Sequence, residues 1–235
     1  MKVAIMQPYF FPYIGYFSLI NHTDKFIFFD TPQYIRHGWI NRNRILSSNG
    51  ESVYFTVPIE KCERETPINK IVIANNTNWR EKIMGQLSVY KKKATNYESV
   101  IDLVKETIYY PTEKIADLAI LSITKSCEWM DLNMDAEIFS EMNLKIGQVN
   151  SPDEWALEIS KAIGAEGYIN PPGGQSFFDR EKYKQSAIEL QFLQQEIVPY
   201  IQKIGRFEPA LSIIDVMMFC SPREIKDMFG QCVML

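Results

Sequence analysis

Apolar residues along this chain follow two rhythms: short continuous runs near both ends and helical spacing through the middle. Lys2–Met6 (KVAIM) is an apolar run that stops before Pro8, Gly15–Asn21 reads as a short helix, and Lys25–Phe29 is a second run closed by Asp30. Strand, loop, helix and strand in that order predict a βαβ unit, because a parallel pair with a right-handed crossover buries two such runs economically. A third strand is predicted at Ser52–Pro58 (SVYFTVP).

From Asn78 to about Asn133 the spacing predicts helices at Trp79–Lys91, Tyr97–Tyr109 and Thr112–Asp131, with Asn78 and Thr112 as N-caps and Pro111 as the break between the last two. The last third returns to alternation. It predicts a strand at Leu144–Val149, a helix at Pro152–Ile163 capped by Ser151 and ended by Gly164, and a strand at Gly167–Asn170. After the loop Pro171–Ser176 come a helix near Asp179–Ile188, a strand at Leu190–Glu196 and a last helix from Ile213 to Met218 or beyond. The pattern is that of an α/β fold with a parallel-type sheet. One domain spanning residues 1–235 is expected, with a helical lobe at 78–133 inserted in it.

Composition narrows the function. The 235 residues are 46% hydrophobic, 23% charged and 13% aromatic, which excludes a disordered, collagenous or coiled-coil chain. With 25 Lys plus Arg against 29 Asp plus Glu, the net charge of −4 argues against DNA or an anionic membrane as partner. Four widely spaced cysteines, no CxxC and only His22 and His37 predict neither a zinc cage nor a disulfide scaffold, and reduced cytoplasmic thiols are expected. Gln7, Pro8 and Pro12 interrupt the first apolar stretch short of the ~20 residues that span a bilayer, so neither signal peptide nor anchor is expected.

Several segments carry candidate chemistry. QPYFFPYIGY (Gln7–Tyr16) stands where the first strand hands over to its helix, the usual place of a ligand in an open α/β sheet. There Gln7, Tyr9 and Tyr16 can bind, and Gly15 lets a phosphate approach the helix amino terminus; the plainer reading is a stiff turn that buries aromatics. Asp30 follows the second strand, with Gln33 and Tyr34 in the same loop, and suits a ribose hydroxyl, an amine or a magnesium ion, or more plainly an N-cap or turn. YIRHGWINRNRI (Tyr34–Ile45) gathers Arg36, His37, Arg42 and Arg44 around Trp39, so its guanidinium forks can take an anion while the indole stacks on a base or sugar. Gly173 and Gly174 in YINPPGGQSFFD can expose amides to an anion. Ser212 and Asp215 read locally as an N-cap and a first-turn acid. The chain has no GxGxxG, Walker A, GxSxG or HExxH motif, which disfavours common dehydrogenases, P-loop enzymes, α/β hydrolases and zincins.

The blocks MQPYFFPYIGYFSLI, WINRNRI, VYFTVPI, YINPPGGQSFFD and PYIQ with FEPALSIIDVMM, in this order over nearly the full length, resemble the WbqC-like family. The matching positions include Gln7, Pro8, Tyr9, Pro12, Gly15, Tyr16, Trp39, Asn41, Arg42, Pro58, Gly173, Gly174, Tyr200, Gln202, Ser212 and Asp215. Phe219-Cys220-Ser221 departs from the Asn and Gly that members often carry there. The resemblance implies a role in bacterial O-antigen or other surface-polysaccharide synthesis, as a glycine or other aminoacyl transferase acting on amino sugars. The strand, turn and helix are also similar to the HxGH turn of nucleotidylyltransferases, with Tyr13 and Tyr16 in place of histidines.

Together these readings imply an N-acyl or aminoacyl transferase whose partners are a nucleotide-linked amino-deoxysugar and an activated acyl or amino-acid donor, with ATP and Mg2+ as candidate cofactors. In this scheme Arg42, Arg44 and the Gly15 helix terminus hold pyrophosphate, Trp39 stacks, and Asp30, His37 or Asp215 takes the amine's proton. A nucleotidylyl or adenylyl transferase and a non-catalytic sugar-nucleotide-binding subunit are the alternatives.

Overall fold

The computed structural model describes residues 1–235. Its eight strands are β1 (Lys2–Met6), β2 (Lys25–Phe28), β3 (Arg42–Leu46), β4 (Ser52–Thr56), β5 (Ala136–Ile138), β6 (Gly167–Asn170), β7 (Glu189–Gln195) and β8 (Cys232–Met234). Its eight α-helices are α1 (Ile14–Asn21), α2 (Trp79–Leu87), α3 (Tyr97–Ile108), α4 (Ile115–Met130), α5 (Glu154–Ala162), α6 (Arg180–Gln185), α7 (Ile213–Phe219) and α8 (Pro222–Phe229).

The main sheet has the order β5-β2-β1-β6-β7-β8, parallel throughout except for the antiparallel edge strand β8. The expected βαβ start is present: β1 pairs with β2 in register from Val3↔Lys25 to Met6↔Phe28. The order in which strands are added reverses at β1, because β2 and β5 add on one side of it while β6 and β7 add on the other. A crevice at the carboxyl ends of β1 and β6 follows from that reversal.

Both faces of the sheet are covered, which is why its central strands read as continuous apolar runs. Ala4, Phe26, Phe28, Ile169 and Leu193 face α1, α4, α7 and α8 within a cluster of 46 buried residues that also takes in the β3–β4 hairpin, α2 and α3. Val3, Ile5, Ile27, Tyr168, Leu190 and Phe192 face α5 and α6 in a second cluster of 12. The side-chain period of two sends alternate residues of each strand to different cores.

Several boundaries differ from the sequence expectation. Leu144–Val149 is irregular chain, not a strand; the place beside β2 is taken by Ala136–Ile138, soon after α4 ends. Leu144 and Ile146 instead pack their side chains against the smaller core. The Ser52–Pro58 run forms β4, but pairs only with β3 in a separate hairpin. Thr112 lies before the helix, where Lys114 is the N-cap, and its Oγ1 accepts from the Lys114 N–H at 3.1 Å. Asn78 is the cap residue of α2 without using its side chain, and Asp153, not Ser151, precedes α5. Gly164 does end α5, at φ 67°, a left-handed angle that glycine adopts without strain. The chain then adds α8, started by a capping box between Ser221 and Glu224, and the edge strand β8. No helix is long and apolar enough to cross a membrane.

Candidate functional site

The segment after β1 is built as a turn before it is a site. Phe11 has φ 42°, which costs a non-glycine residue roughly 1–2 kcal/mol. Three different elements hold it there: the Phe11 N–H donates to Ser122 Oγ at 2.9 Å, and its carbonyl accepts from Asn43 Nδ2 at 2.8 Å and Ser212 Oγ at 2.7 Å. The Phe10 N–H donates to the Trp39 carbonyl at 3.0 Å. Three buried hydrogen bonds at about 1 kcal/mol each offset the strain. The rings of Phe10 and Phe11 lie 4.9 Å apart in the core beside Phe55. For these two phenylalanines the plain reading, aromatic burial, is the correct one.

The tyrosines of the same segment turn elsewhere. Tyr9, Pro12, Tyr13, Gly15 and Tyr16 join Met6 at the end of β1, Pro171 just past β6, Trp39, Asn43, Arg44 and Ala210 around a pocket of about 310 Å3. This is the crevice that the strand order calls for. Burial pushes the hydroxyls of Tyr9, Tyr13 and Tyr16 above the ordinary tyrosine range, so all three stay protonated at neutral pH. The Tyr16 hydroxyl donates to the Gln7 carbonyl at 2.9 Å. A Cβ at Gly15 would lie 2.4 Å from Tyr13 Oη, so any larger residue there would have to displace the Tyr13 ring. Its N–H, in the open first turn of α1, donates to no backbone or side-chain acceptor.

Arg44 supplies the charge of this pocket. One terminal nitrogen lies 3.7 Å from Glu208 Oε1 and the other donates to the Ala210 carbonyl at 3.3 Å, which ties the 208–210 segment over the pocket. Its Nε–H is buried and has no acceptor. A buried donor without a partner costs roughly 1–3 kcal/mol, so this one is suited to an anionic oxygen.

The other sequence candidates are dispersed. Arg42 stacks on Tyr54, 4.3 Å from the ring centroid, and its guanidinium donates to the Gly38 and His37 carbonyls; it shares a face of β3 with Arg44, but the two guanidinium groups take different partners. His37, at φ 62° and exposed, lies with Arg42 on a separate shallow depression. Asn41 is structural: it accepts from the Tyr34 hydroxyl and donates to the Val57 carbonyl, both at 2.8 Å. Asp30 is buried and receives the Ser140 N–H at 3.1 Å and the Ser140 hydroxyl at 2.5 Å, which fixes the end of β2 to the turn after β5. The Gly174 N–H is spent on Pro171 O and the Gln175 N–H on Pro172 O, while the Gly173 N–H has no acceptor; only Pro171 of that segment lines the pocket. Ser212 caps α7 as expected, accepting from the Ile214 N–H at 3.2 Å, while its hydroxyl holds Phe11.

Asp215 is fully buried and away from the pocket. Its carboxylate accepts from the hydroxyls of Tyr200 and Tyr90, both at 2.5 Å, and from Gln202 Nε2 at 2.9 Å. Burial raises its pKa and these hydrogen bonds pull it back. The cluster joins β3, α7 and the 200–208 segment, since Tyr90 Oη also accepts the Leu46 N–H at 3.0 Å. Neither Asp215 nor Tyr90, Tyr200 or Gln202 lines the crevice.

Gln7 opens on the other side of the end of β1. With Phe29, Gln33, Arg36, Arg64, Trp155 and their neighbours it borders a larger cavity of about 1050 Å3. Gln7 and Gln33 lie in segments that the sequence reading singled out, but Arg64 and Trp155 come from an exposed loop and an amphipathic helix, and nothing local marks them. Asn43 was also missed, although its alternation with Arg42 and Arg44 is the signal of a strand.

The model of the WbqC-like protein family matches residues 7–227. The chain belongs to this family. It is also 26% identical over 235 residues to the uncharacterized protein Rv1507c of Mycobacterium tuberculosis, with 98% of each chain covered. No solved structure matches significantly. The span of the family match takes in Tyr9, Tyr13, Tyr16, Trp39, Arg44 and Pro171, so every residue of the crevice wall except Met6 lies within the matched sequence.

Proposed function

We propose that this WbqC-like protein is a transferase that forms an amide on the amine of a nucleotide-linked amino-deoxysugar, within bacterial surface-polysaccharide synthesis. The observation that carries the reading is that two residues lining the crevice between β1 and β6 keep unspent donors, the buried Nε–H of Arg44 and the Gly15 amide. Those two donors suit a carboxylate or acyl oxygen, and a volume of about 310 Å3 is at the small end of ligand pockets, roughly 300–1,000 Å3. The donor's acyl group binds there, and the amine reaches it past Gln7 at the end of β1.

The amine nitrogen bonds to the acyl carbon, the bond from that carbon to its activating group breaks, and the proton leaves with that group or to water. Negative charge on the carbonyl oxygen rises as the amine adds, and the Gly15 N–H and Arg44 offset it electrostatically. Tyr9, Tyr13 and Tyr16, protonated, orient the acyl group and exclude water. The strand order and the helix that follows β1 also support the likeness to HxGH enzymes, with tyrosines in place of the charged imidazoles.

A second reading, a sugar-nucleotide-binding subunit without turnover, is favoured by one observation: the crevice wall has no carboxylate, histidine or thiol. Mass spectrometry of a panel of dTDP- and UDP-amino-sugars incubated with ATP, magnesium and amino acids separates the two. A mass gain equal to a glycyl or other acyl residue is the expected result; nucleotide-sugar binding with no gain under any donor, including thioesters and aminoacyl-tRNA, establishes the second reading.

A further inference from the structure

The larger cavity beside Gln7 is made differently from the crevice. Its apolar floor is Phe29 and Trp155, whose rings are 5.5 Å apart, each braced by Phe139. Its rim is held by the backbone: Tyr34 N–H donates to Thr66 O and Ile68 N–H to Pro32 O, both at 2.9 Å, so the 31–36 and 63–68 segments are set side by side. Arg36 reaches only the Cys62 carbonyl, at 3.0 Å, and Arg64 has no acceptor at all. Neither guanidinium has a carboxylate partner. The side-chain amides of Gln7 and Gln33 are likewise unspent, and the carboxylate of Glu63 on the same rim has no cation.

An aromatic floor, two unpaired guanidinium groups, two free amides and a free carboxylate match the parts of one ligand class. A base stacks on Trp155 and Phe29, phosphate oxygens accept from Arg36 and Arg64, ribose hydroxyls donate to Glu63, and Gln7 or Gln33 meets the base edge or the sugar. At about 1050 Å3 the cavity is some three times the size of the crevice and can hold the larger reactant. Met6 lines the crevice and Gln7 the cavity, so the two places flank the end of β1.

We propose that this cavity is a nucleoside-diphosphate site, distinct from the acyl crevice, with Trp155 as the stacking surface and Arg36 and Arg64 as the diphosphate clamp. Its role as the seat of the amino-sugar's nucleotide rests on the transferase reading; nucleotide binding itself does not. Calorimetry of the full chain with ADP, UDP and dTDP, each with and without magnesium, tests it. Trp155→Leu is expected to weaken binding about fivefold or more, the usual effect of losing one stacking ring, and Arg36→Ala with Arg64→Ala to weaken it at least tenfold. Arg44→Ala is expected to leave the affinity within about twofold. The two arginines are exposed, so their double variant reads out binding even if Trp155→Leu fails to fold. Affinity that falls with Arg44→Ala and is indifferent to Arg36, Arg64 and Trp155 would overturn the assignment, as would no binding of any of the three nucleotides. Nucleotide binding here without acyl transfer in the mass-spectrometric panel would leave this site standing and refute the transferase.

Discussion

The two arginines of β3 stand two residues apart and have opposite fates. Arg42 gives its guanidinium to two carbonyls of its own loop and to the face of Tyr54, whereas Arg44 keeps a buried Nε–H without an acceptor. The first is wholly spent as a structural clamp, while the second ties down Glu208 and Ala210 and still keeps one donor unspent. Residue type does not distinguish them; what remains unspent after folding does.

The same contrast divides the residues that build the crevice from those that face it. Asn43 carries the largest expected effect. It bonds Phe10 O, Phe11 O and the Arg44 N–H from a buried position, so Asn43→Ala should destabilise the fold by about 3 kcal/mol, read by urea or guanidinium unfolding. A loss under about 1 kcal/mol would mean that the left-handed turn at Phe11 is held by other means.

Next comes the direct comparison of the arginines. Arg44→Ala should raise the apparent KM for the acyl donor by about ten- to a hundredfold, the range for a hydrogen bond to a charged group, while Arg42→Ala should change it by less than about threefold. Equal effects would remove the distinction between clamp and binding group. Ser212→Ala, which deletes both an N-cap and a bond to Phe11 O, should cost about 1–2 kcal/mol of stability; retention of that bond by Asn43 alone keeps the turn formed.

The smallest effect lies at the amino end of α5. A hydrogen bond from Lys182, then one from the Asn150 N–H, draws the Glu154 carboxyl from the usual 4.5 down to about 2. A lowered folded-state pKa means that the unfolded chain binds the proton more readily, so this contribution is present above about pH 4.5 and is lost as pH falls toward 2. Glu154→Gln should therefore unfold more easily than the parent near neutral pH and converge with it on acidification. A difference that grows toward acid would reverse the sign of the argument.

Much of the frame was legible in the residues. KVAIM and KFIF are apolar at every other position on both faces, and only a strand covered on two sides tolerates that, so the βαβ start could be read directly. The turn after β1 could be placed for the same reason: prolines and a glycine end one element and begin the next. The β3–β4 hairpin was not legible, because Arg42–Leu46 has a charged alternation that a cationic loop shares. Leu144–Val149 had the apolar content of a strand, and lost that place to a shorter segment which leaves α4 already beside β2.

The site divides along a similar line. Sequence alone determined which residues carry charge and aromaticity, where the helix terminus stands, and that a parallel sheet would leave a ligand-sized opening near residues 7–16. Tertiary structure decided that Ser212, Asn41, Asp30 and Asp215 hold the chain together, and that Arg44, Gly15, Arg36, Arg64 and Trp155 keep groups to offer. The reason is physical: periodicity and turn chemistry act between near neighbours in the chain, but a buried donor or acceptor is satisfied by whatever the fold brings within about 3 Å of it, often from a hundred or more residues away.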